Sequence, residues 1–249
     1  MYNNSMIEIY NEDCLIGMNK IKDKTIDLIL TDLPYGTTSC HWDLIIPFDQ
    51  LWKQYKRIIK DNGVIILFGT GIFFAELILS NKEWFRYELI WEKERPTNIF
   101  FLKNQFAKVH ENIGVFYEEQ PKYFPIMEDR RFTSIGVFKG EKQSNTHENQ
   151  TYKYSESYDK TKTYPRSVLK FNRDTLKGSF HPTQKPVSLL EYLIETYIEE
   201  NDLVLDSCMG SGSTMIACKS VKRNGIGFEI DKDIFEIAKN RIKKFNFLF

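Results

Sequence analysis

LVLDSCMGSGST, residues 203–214, is the stretch whose reading decides the fold. Three apolar residues lead into an acid, and a glycine-rich turn then opens onto MIACKSV. This is a strand, a carboxylate at its tip and the first turn of a helix. Glycine at such a turn lets the backbone approach a ligand where a side chain would block it. In open α/β sheets ligands bind beyond the carboxyl ends of strands. The spacing is neither G-x-G-x-x-G nor that of a P-loop, which carries Lys after its last Gly. On its own such a turn more often marks tight packing than a ligand.

The following strand adds weight. GIGFEID (residues 225–231) ends in Glu229, about twenty residues beyond the glycines, where an acid can accept from both hydroxyls of a ribose. A ligand with a ribose is expected, and nothing in the turn is built for a triphosphate.

Outward from there, strands and helices alternate. MIEIYNED and TIDLILT read as strands, and FDQLWKQYKRIIKDNG as a helix with Leu51, Tyr55, Ile58 and Ile59 on one face and Gly63 at its stop. VIILFG is a buried strand, IFFAELILSN a helix and YELIWEK a further strand. After HPTQKP come the helix VSLLEYLIETY, the turn-and-helix unit GSGSTMIACKSVKRNG ended by Gly225, and the amphipathic helix IFEIAKNRIKKF. Alternation of this kind predicts a mostly parallel sheet covered by helices on both faces. At 249 residues the chain is long enough for one such domain with an insertion.

The pattern lapses between residues 93 and 180, where only ENIGVFY reads as a strand. The piece KGEKQSNTHENQTYKYSESYDKTKTYPRS is polar, basic and dotted with Tyr152, Tyr154, Tyr158 and Tyr164. A loop this long inside a compact domain is more often functional or disordered than idle. The net charge is zero, but residues 93–177 hold 16 Lys and Arg against 11 Asp and Glu; with 34 of each in the whole chain, +5 there leaves −5 elsewhere. A basic middle on an acidic scaffold is compatible with a nucleic-acid face and with mere solvation. Cys14, Cys40, Cys208 and Cys218 show no CxxC spacing, so neither a metal site nor a disulfide framework is expected. No apolar run approaches the roughly 18 residues of a membrane span, and the start lacks the build of a signal peptide. A cytoplasmic protein away from membranes is therefore expected.

LTDLPYG, residues 30–36, ends the second strand with an acid, two chain breakers and an aromatic ring. Alone it reads as a strand exit. Together with the tip acid, GSG and the ribose acid, it resembles the amino-methylating DNA methyltransferases. Their signature is Asp, Asn or Ser, then Pro or an aliphatic residue, then Pro, then an aromatic. The catalytic motif precedes the cofactor loop, as in the β group of that family, and HPTQKP is similar to that group's cofactor-side motif.

The resemblance implies a class I methyltransferase (Rossmann-like) α/β fold, circularly permuted. A catalytic part would occupy residues 1–92, an insertion with the target-recognition region 93–180, and a cofactor part 181–249. The last strands of the core could fall within 86–117. It implies S-adenosylmethionine as cofactor, with Asp206, Gly210, Ser211, Gly212 and Thr214 at its methionine end. Glu229 would hold its ribose and Lys185 its carboxylate, while Asp13 and the backbone of Cys14 would read its adenine. Asp32 and the carbonyl of Leu33 would hold the target amine, with Pro34 fixing the turn and Tyr35 stacking on the base. One departure is that Ser207 and Cys208 follow the tip acid, where an aromatic or Pro is usual.

The implied partner is double-stranded DNA, approached through Lys139, Lys142, Lys160 and Lys162 of the basic middle. The implied reaction is methylation of adenine N6. Cytosine N4, RNA adenine and a catalytically silent binding protein stand as alternatives. A homodimer and a cognate restriction endonuclease are left open. Among single residues, His110 and His181 are expected to be structural, and Trp42 to be either a wall of the base pocket or core.

Overall fold

The computed structural model describes residues 5–36, 44–130, 161–174 and 184–245. The chain enters through β1 (Ile7–Tyr10) and the short helix α1 (Cys14–Met18), then β2 (Ile26–Thr31). Helix α2 (Phe48–Ile58) buries Leu51, Trp52, Tyr55 and Ile58, one stripe at helical spacing. Strand β3 (Ile59–Gly69), helix α3 (Gly71–Ser80), β4 (Phe85–Glu92) and β5 (His110–Phe116) follow.

Two short strands, β6 (Glu128–Asp129) and β7 (Lys162–Thr163), pair antiparallel with each other. They belong to a separate compact unit, residues 125–166. Strand β8 (Val168–Lys170) returns to the main sheet. Helix α4 (Val187–Tyr197), β9 (Leu203–Asp206), α5 (Ser213–Ser220), β10 (Asn224–Phe228) and α6 (Lys232–Phe245) complete the chain.

The eight-stranded sheet has the order β1-β10-β9-β2-β3-β5-β4-β8. From β1 to β3 every pairing is parallel; β5 runs antiparallel to both β3 and β4, and β8 is parallel to β4. Alternate residues serve opposite faces. Leu28, Leu30, Val64 and Ile66 pack with α4, α5 and α6, whereas Ile29, Ile65 and Leu67 pack with α2 and α3. A parallel strand covered on both sides must be apolar throughout, which is why TIDLILT and VIILFG read as unbroken runs.

Three expectations from the sequence are corrected. Helix α2 stops at Ile58 rather than Gly63, because Ile59 already pairs with Ile26 of β2 and Gly63 lies inside β3. Sheet pairing outweighs helical periodicity there. Helix α5 stops at Ser220; the reversal is made by Lys222 in a left-handed conformation (φ 58°), and Gly225 is a strand residue paired with Val204 and Ile7. Finally, β5 falls within 86–117, where a last core strand was allowed for, but β8 of the main sheet also falls within residues 93–180, so the separate unit is narrower than that span. Among the described residues no helix is long and apolar enough to cross a membrane.

Candidate active site

Strands β2 and β9 are neighbours, with Leu28 opposite Val204 and Ile29 opposite Leu205, so the ends of both strands reach the same edge of the sheet. The two motifs, far apart in sequence, therefore line one cleft of about 430 Å3. Asp13, Asp32, Tyr35, Lys185, Asp206, Gly210, Thr214 and Glu229 all contribute to its walls.

On the β9 side, Asp206 is buried. The Thr31 hydroxyl donates to its Oδ1, as does the Cys208 N–H at 3.1 Å, and the Thr214 side chain donates as well. Burial nevertheless pushes this carboxyl up to about 6, because the donors offset only part of the desolvation cost. Ser207 fills the departure from the family pattern with a polar seam. Its N–H donates to Thr31 Oγ1 at 2.8 Å, and its hydroxyl lies 2.6 Å from that of Tyr55. Cys208 faces Cys14, and their hydrogen bond together with burial holds the Cys208 thiol well above its usual range.

The glycine turn divides into two roles. Gly210 has φ 51°, and a Cβ there would meet nothing within 4 Å; its N–H donates to Glu229 Oε2 at 3.0 Å. Gly212 has φ 81°, and a Cβ there would sit 3.2 Å from Ala238 and Ile242. Its missing side chain leaves room for α6. Ser211 accepts from Arg241 at 2.7 Å. Glu229 also accepts from the Asp231 N–H at 2.8 Å, and burial raises its carboxyl. Asp13 caps α1, with Oδ1 accepting from Leu15 N at 2.7 Å, and Cys14 is buried at the start of that helix.

On the β2 side, Tyr35 donates to Asp32 Oδ1 at 2.6 Å, and its ring lies 4.7 Å from that of Phe73. Lys185 reaches Asp32 Oδ2 at 2.5 Å and Glu111 Oε2 at 3.1 Å. Glu111 is in turn paired with Lys93. Four charges thus form a largely buried chain, Asp32–Lys185–Glu111–Lys93, in which each inner member has two opposite neighbours. Burial alone would push the Lys185 ammonium down, but Asp32 and Glu111 outweigh it and hold it above its ordinary range. Burial also pushes up Glu111, but Lys185 and Lys93 hold it below its usual value. Asp32 is raised, since burial and the Glu111 charge exceed the pull of Lys185.

The sequence reading placed Lys185 beside a ligand carboxylate; here it neutralises Asp32. It missed Thr31, Tyr55, Glu111 and Lys93. Glu111 was legible only as an acid within the apolar strand HENIGVF, beside the histidine that attracted notice. Leu33 is buried, and Pro34 continues the turn that Gly36 closes with φ 65°. Lys162 pairs with Asp129 at 2.6 Å within the 125–166 unit. Lys139, Lys142 and Lys160, with Trp42, Cys40 and His181, lie outside the described residues. Among the described residues no acidic, His and Cys cluster could hold a metal.

A permuted, mostly parallel sheet with an acid–glycine turn beside a second strand-tip acid defines a class I methyltransferase fold. The chain belongs to the DNA methylase family, whose sequence model matches residues 26–240. It is a DNA methyltransferase, and S-adenosylmethionine is its cofactor. It is 28% identical to the type II methyltransferase M.HpaI of Haemophilus parainfluenzae, over 91% of this chain and 71% of that one. It is 26% identical to M.HinfI of Haemophilus influenzae, over 97% and 70%. Among solved structures, M1.HpyAVI with SAM shares the fold at TM-score 0.64 and 24% identity, over 95% of this chain and all of that one. The cytosine-N4-specific PvuII DNA methyltransferase shares it at TM-score 0.71 and 15% identity, over 98% and 92%.

Proposed function

We propose that this enzyme methylates the exocyclic N6 of adenine flipped out of duplex DNA, with Asp32, Leu33, Pro34 and Tyr35 as the target-amine site. The observation that carries the reading is that the DLPY turn and the acid–glycine turn line a single cleft.

The cofactor's fit is supported by the open space above Gly210, a cradle that a Cβ would enter, and by two carboxylates on its rim. Asp206, Gly210, Ser211 and Thr214 would line its methionine end, Glu229 its ribose, and Asp13 with Cys14 its adenine. When bound, S-adenosylmethionine supplies an electrophilic methyl on a cationic sulfur.

The chain's own residues do the rest. An exocyclic amine is a poor nucleophile because its lone pair is delocalised into the ring. Asp32 and the Leu33 carbonyl, each accepting one N–H, localise that pair and aim it. Each oxygen of Asp32 already accepts one bond, yet keeps a second acceptor site for the amine. Tyr35 stacks on the extruded base, recovering about 1–3 kcal/mol of the unstacking cost. Positioning and fixed electrostatics are the main source of rate.

Target recognition falls to the part of residues 93–180 that lies outside the main sheet, with Lys139, Lys142, Lys160 and Lys162 on phosphates. The enzyme works in the cytoplasm, and the type II names of its relatives support a restriction endonuclease with the same target sequence.

The test is to methylate unmethylated duplex DNA with labelled cofactor, digest it and identify the nucleoside. N6-methyladenine is expected. N4-methylcytosine would move the target, and methylated RNA with untouched DNA would overturn the substrate.

A further inference from the structure

The connection between β4 and β5 carries the most exposed large apolar side chains of the described residues. Phe100 and Phe106 are each 98% exposed. Isolated exposed apolar residues are ordinary, but two bare phenyl rings in one short loop are a surface that expects a partner.

The loop is built, not loose. The Asn98 side chain spans it, donating to Phe106 O at 2.9 Å and accepting from Lys108 N at 2.7 Å. Thr97 N donates to Lys108 O at 3.0 Å, and a turn closes from Phe101 N to Asn98 O at 2.9 Å. A hydrogen-bonded frame therefore holds both rings outward against the hydrophobic effect.

Its place is equally specific. Strand β4 is antiparallel to β5, which is antiparallel to β3, so the loop rises from the same edge as the tips of β2 and β9. Its two feet, Lys93 and Glu111, are the far end of the charge chain that reaches Asp32. The loop also carries Arg95, Lys103 and Lys108, none of which makes an ion pair among the described residues, whereas neighbouring Glu94 is taken by Arg173. Uncompensated cations around bare aromatic rings complement phosphates around stacked bases.

We propose that the 93–109 loop is a DNA wedge. Phe100 and Phe106 press into the base stack beside the target nucleotide while Arg95, Lys103 and Lys108 hold the flanking phosphates. This rests on the proposed function and adds to it the element that opens the duplex. Apolar side chains inserted between base steps unstack them, and the vacated space is filled by the rings.

The test is the full chain carrying Phe100→Ala and Phe106→Ala, with unmethylated bulk duplex DNA as substrate. Methyl transfer should fall at least about tenfold, on the scale of one lost stacking contact. Affinity for S-adenosylmethionine should be unchanged. So should the slope of log DNA affinity against log salt, because no charge is removed. Trp at both positions should retain transfer within a few-fold. Transfer within about twofold of wild type overturns the proposal, as does a loss of cofactor binding, which would make the rings structural. A drop in sedimentation coefficient would assign them to a second copy of the chain and overturn it too. Contact is also read without catalysis: in a Phe100→Trp variant, added duplex should quench the new fluorescence, and absence of quenching overturns the wedge. Quenching by DNA in an enzyme that methylates no DNA would leave the wedge standing and sink the proposed reaction instead.

Discussion

Asp32 and Lys185, 153 positions apart, meet with Nζ 2.5 Å from Oδ2. The proposed amine acceptor is therefore held by a cation that also answers to Glu111. Lys185 is thus a positioning residue for Asp32, and its charge offsets part of the cost of keeping a carboxylate in a half-buried turn.

Replacing Asp32 with Ala should lower methyl transfer by roughly a hundredfold or more, the scale for losing one preorganised partner of the reacting group. Cofactor affinity should survive, since Lys185 keeps Glu111 as a counter-ion. Calorimetric titration beside a rate measurement separates the two. Loss of cofactor binding in a folded variant would reassign Asp32.

Glu111→Gln should act through Asp32. Removing the Glu111 charge removes a contribution that raises the Asp32 carboxyl, and leaves Lys185 to pair with Asp32 alone. Asp32 should then ionise at lower pH, so the acid limb of the rate profile moves to lower pH. Stability should fall by about 3–5 kcal/mol, as when one partner of a buried pair is removed. A variant that merely unfolds more easily would keep the wild-type limb.

Asp206 gives the pH dependence of the fold. Its folded carboxyl titrates at about 6 against an ordinary 3.8, so the folded state binds the proton more tightly. Stability should fall as pH rises through that window, by roughly 3 kcal/mol in total. A cationic ligand favours the ionised form, so affinity for S-adenosylmethionine should rise over the same range. Asp206→Asn should flatten both curves; an unchanged pH dependence of binding would remove Asp206 from the cofactor site.

Glu229→Ala and Gly212→Val should fail in different ways. The first removes charged acceptors, and the cofactor dissociation constant should rise about 10- to 100-fold. The second places a β-branched side chain at φ 81° against Ala238 and Ile242, so the melting temperature should drop first. An unaltered melt with weakened binding would return Gly212 to the cleft.

Both strand-tip acids, the glycine turn and the order of the elements were legible because each leaves a local mark: an apolar run, a breaker, a periodic helix. The ends of α2 and α5 were not, since Ile59 and Gly225 answer to sheet partners distant in the chain. Nor was the pairing of Lys185 with Asp32 and Glu111, which depends on three separate elements converging. The packing of Gly212 against α6 was illegible for the same reason, because its neighbours there are Ala238 and Ile242.

The β2–β9 seam sets a timetable for the newborn protein. The strand that carries the acid of the DLPY turn leaves the ribosome early, yet its neighbour at Leu28 and Ile29 is synthesised roughly 175 residues later. Until Val204 and Leu205 arrive, that face of β2 is an open strand edge, prone to pair with whatever is near. Closing it requires contacts of great sequence separation, which form slowly. The nascent chain therefore carries its acid-bearing DLPY turn before the glycine turn that shares its cleft has been made.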